Sequence, residues 1–209
     1  TSISQILPST AVKTNALAAL VTEAKNKNAI IDQTPNATAE EKEEANNKVD
    51  GLQEEADANI LKAHTTEEVN NIKNQAVQNI NDVQVEVIKK QNVKKQLTQF
   101  VDNQKKIIEN TPDATLEEKA EANRLLQNVL TSASDEIANV VHNNEVDQAL
   151  DKARPKIEAI VPQVSKKRDA LNAIQEAFNS QTQEIQENQE ATNEEKAEAC
   201  LLYTSLSGL

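Results

Sequence analysis

The residues best suited to chemistry in this chain are three acidic pairs, two histidines and one thiol. Glu40-Glu41 follow Thr38, Glu117-Glu118 follow Thr115, and Glu194-Glu195 follow Thr192. Adjacent carboxylates can share acid–base work or bind calcium, but neither Asp-rich loop spacing nor a glycine turn accompanies them. Thr-x-Glu-Glu instead reads as a helix start. Thr38, Thr115 and Thr192 are N-caps, and Glu41, Glu118 and Glu195 three residues on close a capping box. Glu40, Glu117 and Glu194 sit where the helix dipole favours negative charge. Thr65 with Glu68 forms a further start of this kind. His64 and His142 fall at nearly matching places, where the end of a helix dipole favours a histidine. Metal binding needs several convergent ligands, and no cysteine or second histidine lies near either one. Cys200 is the sole thiol, and no nucleophile signature surrounds it. The sequence therefore assigns no catalytic residue, no metal ligand and no cofactor.

Composition narrows the class further. With 22 Lys and Arg against 34 Asp and Glu, the net charge is −12, and the longest basic run is Lys166-Lys167-Arg168. Such a chain repels a phosphate backbone, so nucleic acid is excluded as a partner. Two glycines cannot build a phosphate-binding loop or serve the tight turns of a sheet protein. No run approaches the roughly 18 apolar residues of a membrane span. Aromatic residues make up 1% of the chain, too few to line an ordinary active-site pocket, and the enzyme class is rejected.

The acidic pairs are spaced by a repeat. TPNATAEEKEEAN (residues 34–46) returns as TPDATLEEKAEAN (111–123) and as NQEATNEEKAEAC (188–200), so that Thr38, Thr115 and Thr192 are evenly spaced. Apolar positions keep the same offset: Val49 with Leu126, Leu52 with Val129, Ile60 with Ile137, Ile3 with Ile80 and Ile157. Residues 1–9 read as the end of a preceding repeat, 10–86 and 87–163 as full repeats, and 164–199 as the start of a third. Residues 200–209 form a divergent tail, either foreign to the array or its degenerate end.

Each repeat reads as three amphipathic helices. One stripe runs through Ala45, Val49, Leu52, Ala56, Ile60 and Ala63, and a second through Val69, Ile72, Ala76, Ile80, Val83 and Val87. A third precedes the Thr-Pro turn, with Leu20, Ala24 and Ile31 matched by Leu97, Val101 and Ile108. Steps of three and four place each set on one helix face. The fold class is all-α: tandem three-helix bundles in an elongated rod, joined by long shared or proline-kinked helices. From Val69 to Ile108 the 3/4 spacing is unbroken, with Lys90 and Lys94 in the middle of the stripe. That predicts one shared helix of roughly 45 residues, nearly 70 Å at ~1.5 Å per residue, exposed between bundles. Pro155 and Pro162 interrupt the next junction, where a kink or break is expected, and Pro8 occupies the equivalent place.

The period, the PxAT-x-EE-K motif and the helix spacings together resemble the tandem repeat of unknown function in giant cell-wall-anchored staphylococcal surface proteins of the Ebh, SasC and FmtB type. The resemblance covers roughly Thr1 to Ala199. It implies an extracellular location at the bacterial wall and a part in adhesion or biofilm growth, with no catalytic residues to carry over. Two readings follow from it. In the first, the chain is part of a stalk that projects a distal adhesive region. In the second, each repeat binds a host matrix protein of the fibronectin type, or a copy of itself on another cell. Outward positions drift between repeats while the stripes are kept, as in Asn46-Asn47-Lys48 against Asn123-Arg124-Leu125, which favours the stalk. The chain is expected to be monomeric and not to insert into membranes.

Overall fold

The structure, a computed structural model, describes residues 10–207, with side chains over 10–202. The described residues form eight α-helices and no strand. These are α1 (Ala11–Asp32), α2 (Ala39–Lys62), α3 (Thr66–Asp82), α4 (Lys89–Glu109), α5 (Leu116–Asn139), α6 (Asn143–Glu158), α7 (Lys166–Glu187) and α8 (Asn193–Ser207). The chain divides into two compact units. The first takes the residues up to Asp102 together with Asn128–Glu158, and the second takes Asn103–Gln127 together with Ala159 onward.

In the first unit, α1, α2 and α3 pack pairwise into a bundle. The predicted stripes supply its core: Leu20, Val49, Ile60 and Ile80 are fully buried, and Ala16, Ala24, Ala45, Ala56 and Ala76 fill the spaces between them. Each large side chain contributes about 1.5–3 kcal/mol on leaving water. The alanines contribute little area but let the helix axes approach closely. On α4, α5 and α6 the matching positions Leu97, Leu126, Ile137 and Ile157 are likewise fully buried. In the second unit α7 packs on α8, and α7 carries no buried residue. Leu171 and Ile174 stand exposed there, although Leu20 and Leu97 at the place of Ile174 are fully buried.

Turns are built without glycine. After α1, Thr34 N–H donates to the Ile31 carbonyl at 3.0 Å, Pro35 prevents the helix from continuing, and Asn36 adopts φ 62°. Asp113, its counterpart in the next repeat, adopts the same φ of 62°. Asn and Asp are the non-glycine residues that tolerate this left-handed region best.

Buried or half-buried donors then satisfy carbonyls that the helix ends leave without partners. Lys42 Nζ reaches Asp32 O at the end of α1, and Lys119 Nζ reaches Glu109 O at the end of α4, both at 2.7 Å. Lys13 donates to Leu61 O at 2.7 Å, and Lys90 donates to Ala138 O at 2.8 Å. Lys27 donates to Asn81 O at 2.7 Å, whereas Gln104, at the same place in the next repeat, donates at 2.6 Å to Ile160 O in the non-helical stretch beyond α6.

The shared helix expected over 69–108 does not form. α3 stops at Asp82, Val83 turns extended with ψ 127°, and α4 begins only at Lys89. Between them Val83, Val85 and Val87 are half-buried while Gln84, Glu86 and Ile88 face solvent. That is a period of two over β-branched residues, which favour extended backbone. Lys90 is correspondingly buried rather than exposed between bundles, its ammonium spent on the end of α5, and Lys94 is half-buried. At the next junction α6 accommodates Pro155 internally and ends at Glu158, and Pro162 lies buried in the non-helical stretch before α7. Both junctions are therefore non-helical, and the second turns at residues 164–165 before α7. Pro8 lies outside the described residues.

Candidate functional site at the repeat junction

The Thr-x-x-Glu sites form reciprocal caps. Thr38 N–H donates to Glu41 Oε2 at 2.9 Å while Glu41 N–H donates to Thr38 Oγ1 at 3.3 Å. Thr115 and Glu118 repeat the pair at 2.8 and 3.2 Å, and Thr192 and Glu195 repeat it at 2.8 and 3.3 Å. Thr65 and Glu68 form theirs at 3.1 Å in both directions, and Glu68 also takes the His64 N–H at 2.7 Å. A further cap opens α6, where Glu145 Oε2 accepts the N–H groups of Val141 and His142 at 3.0 and 2.9 Å.

A capping box uses only one carboxylate oxygen, and at two sites the other oxygen reaches further. Glu41 Oε1 accepts the N–H groups of Ile88 and Lys89, at 2.8 and 2.7 Å, where α4 begins. Glu118 Oε1 accepts those of Ser165 and Lys166, at 3.0 and 3.1 Å, where α7 begins. The same carboxylate therefore caps its own helix and the first helix of the following repeat. Glu40 adds a third helix: its Oε2 accepts the Asn143 N–H at 3.0 Å at the start of α6, and its Oε1 lies 3.2 Å from His142 Nδ1. The Ala39 N–H to Val141 carbonyl bond, at 2.9 Å, and the Lys89–Asp147 ion pair, at 2.7 Å, complete the first junction.

The electrostatics follow from this geometry. A helix N-terminus carries about half a positive charge, and the Glu40-Glu41 pair meets the N-termini of α2, α4 and α6. Hydrogen bonds to the ionised form hold carboxyls below their ordinary range. For Glu118, the N–H groups of Thr115, Ser165 and Lys166 bring the pKa down to about 2. For Glu41, partial burial pulls upward, and the N–H groups of Lys89, Thr38 and Ile88 together outweigh it. Glu40 is lowered by its own N–H and by that of Asn143.

The remaining candidates are placed simply. His64 is exposed just beyond α2 and starts α3 rather than ending the helix before it. His142 is joined to Glu40. Cys200 sits half-buried in α8. Among the described residues, no group of His, Cys, Asp and Glu converges to hold a metal ion, and no helix is long and apolar enough to cross a membrane. Sequence reasoning missed the second role of Glu41 and Glu118 because a capping box already accounts for a glutamate at that place. The available signal was the spacing itself, since each glutamate precedes a non-helical VxVxV or IxPxV segment by the same interval.

Comparisons with known proteins fit these observations. Residues 12–88, 89–165 and 166–201 match the model of a family described as a domain of unknown function, DUF1542. The chain is 29% identical over 174 residues to the extracellular matrix-binding protein ebh of Staphylococcus aureus strain USA300 / TCH1516, a match that takes in 81% of this chain and 2% of the relative. It is 28% identical over 169 residues to the extracellular matrix-binding protein EbhA of strain Mu3, again over 81% of this chain and 2% of the relative. EbhA of strain Newman is 27% identical over 169 residues, which cover 5% of its length. The chain thus spans a few per cent of the length of these relatives. No solved structure matches.

Proposed function

The chain belongs to the DUF1542 family, and on that footing we propose that it is a non-enzymatic part of an extended stalk on a bacterial cell surface, at the wall, holding a distal adhesive region away from the cell. The supporting observation is the repeated junction: Glu41 and Glu118, at the same place in successive repeats, tie each repeat to the next with the same atoms. A link made identically each time fixes one repeat on the next, so bundles in series convert repeat number into reach. Apolar stripes keep each bundle folded, and the charged outer faces keep it hydrated.

The test is small-angle scattering on chains of one, two, four and eight repeats. A stalk gains a constant increment of maximum dimension per repeat. A compact assembly grows only as about the 0.38 power of length, and that outcome would reject the reading.

The relatives' description as extracellular matrix-binding proteins favours a second reading. In it each repeat offers a weak site for a matrix protein such as fibronectin, or for another copy of itself, and avidity accumulates along the array. Saturable binding of the chain to immobilised fibronectin, lost when it is cut to one repeat, would support this. No binding at high micromolar concentration would leave the stalk alone.

A further inference from the structure

We infer that Glu41 and Glu118 are the positioning residues that fix where the first helix of the following repeat starts, and that neutralising either one loosens that helix start while the helices it joins stay folded. The inference rests on the stalk reading and names a residue that holds each repeat of the stalk to the next. Three observations carry it. First, one carboxylate serves two helix starts through different oxygens, Oε2 for Thr38 or Thr115 and Oε1 for the helix of the following repeat. Second, the segments between repeats, residues 83–88 and 160–165, are non-helical and so lack helical bonds of their own. Their internal backbone ties are the Ile88 N–H to Glu86 carbonyl bond at 3.0 Å and its counterpart, Ser165 N–H to Gln163 carbonyl, at 2.9 Å. Third, the core residues of the first bundle lie on α1, α2 and α3, with Val83 and Val85 packed against them, so the Glu41 contact to α4 can be lost without opening that core.

Glutamine is the discriminating replacement. It keeps the size and one acceptor oxygen, but its second terminal atom is an amide that donates. Glu41→Gln can therefore serve the Thr38 cap or the start of α4, and its amide opposes the N–H groups left over.

The experiment is residue-resolved amide exchange on the full chain and on Glu41→Gln and Glu118→Gln, paired with spin-label distances between Lys25 on α1 and Lys95 on α4 after cysteine substitution of both in a Cys200→Ser background. In Glu41→Gln the Ile88 and Lys89 amides should exchange at least tenfold faster and the label distance should broaden. Ser165 and Lys166 should be unchanged, as should the protection of Ile60 and Ile80. Glu118→Gln should reverse the pattern between the two junctions. If Glu41→Gln leaves Ile88 and Lys89 as protected as before and the distance as narrow, the inference fails. If protection of Ile60 and Ile80 is lost as well, the glutamate holds the bundle rather than the junction, and the inference also fails. Scattering by longer arrays can fail on its own terms without touching these readouts.

Discussion

Val85→Pro separates the two possible conformations of the first junction more sharply than any other single change. Were residues 69–108 one helix, proline at 85 would remove an i to i−4 hydrogen bond and clash with the carbonyl of residue 81, costing about 3 kcal/mol or more. In the structure Val85 lies in the extended stretch after α3, half-buried against the first bundle, and Pro162 occupies the matching place in the next repeat. Proline prefers that backbone, and Gln84 before it is already non-helical, as the residue preceding a proline should be. Lost packing is small because valine and proline are close in volume. Restricting the unfolded chain returns about 0.4–1 kcal/mol where the native conformation suits proline. The net change is expected within about 1 kcal/mol of zero. The assay is urea denaturation of the full chain followed by helical circular dichroism, with amide exchange of Ile72, Ala76 and Ile80 to localise any loss. A midpoint shift equivalent to about 3 kcal/mol, with deprotection spreading back through α3, would refute the extended junction. An unchanged midpoint with α3 still protected would exclude the shared helix.

Three further changes have defined outcomes. Gly51 lies exposed inside α2, and an added Cβ would meet no atom within 4 Å, so Gly51→Ala should stabilise the first bundle by roughly 0.5–1 kcal/mol, read as a raised denaturation midpoint. Thr38 is fully buried and accepts the Glu41 N–H. Thr38→Ala should cost about 1 kcal/mol while Thr38→Ser costs less, and equal losses would show that the hydroxyl does not act as the cap. Acid should loosen the second junction. The Glu118 pKa is about 2 in the fold against an ordinary 4.5, so its contribution is complete above about 4.5 and is lost as pH falls toward 2. Ser165 and Lys166 amide exchange corrected for intrinsic pH dependence should rise over that window, and Glu118→Gln should flatten the response.

The period, the caps and the buried stripes were legible because each has a local cause. Thr38 and Glu41 satisfy one another across three residues, and Ile60 must be buried wherever its helix packs. The junction was misread for an equally physical reason. Positions 83 and 87 are four apart, which meets the helical spacing, and four is also twice the strand period. Val83 and Val87 therefore fit either conformation. Val85 breaks the tie: on a helix it leaves the stripe, on an extended chain it shares a face with its two neighbours, and the matching Pro162 admits the extended form. Lys90 misled for a related cause, since a lysine in an apolar stripe reads as an exposed interruption until its ammonium is given a carbonyl, here Ala138 O, 48 residues away.

Long-range partners of this kind have no local signature, but a repeat supplies a substitute. Lys13 and Lys90 recur one period apart, as do Lys42 and Lys119 and Glu41 and Glu118, and each pair makes the same contact twice. Outward neighbours such as Lys48 and Leu125 drift over the same interval. A polar residue that keeps its register in an array whose exposed positions drift is therefore expected to hold another element, and the glutamate that caps two helices is the case where that reasoning leads to the link between repeats.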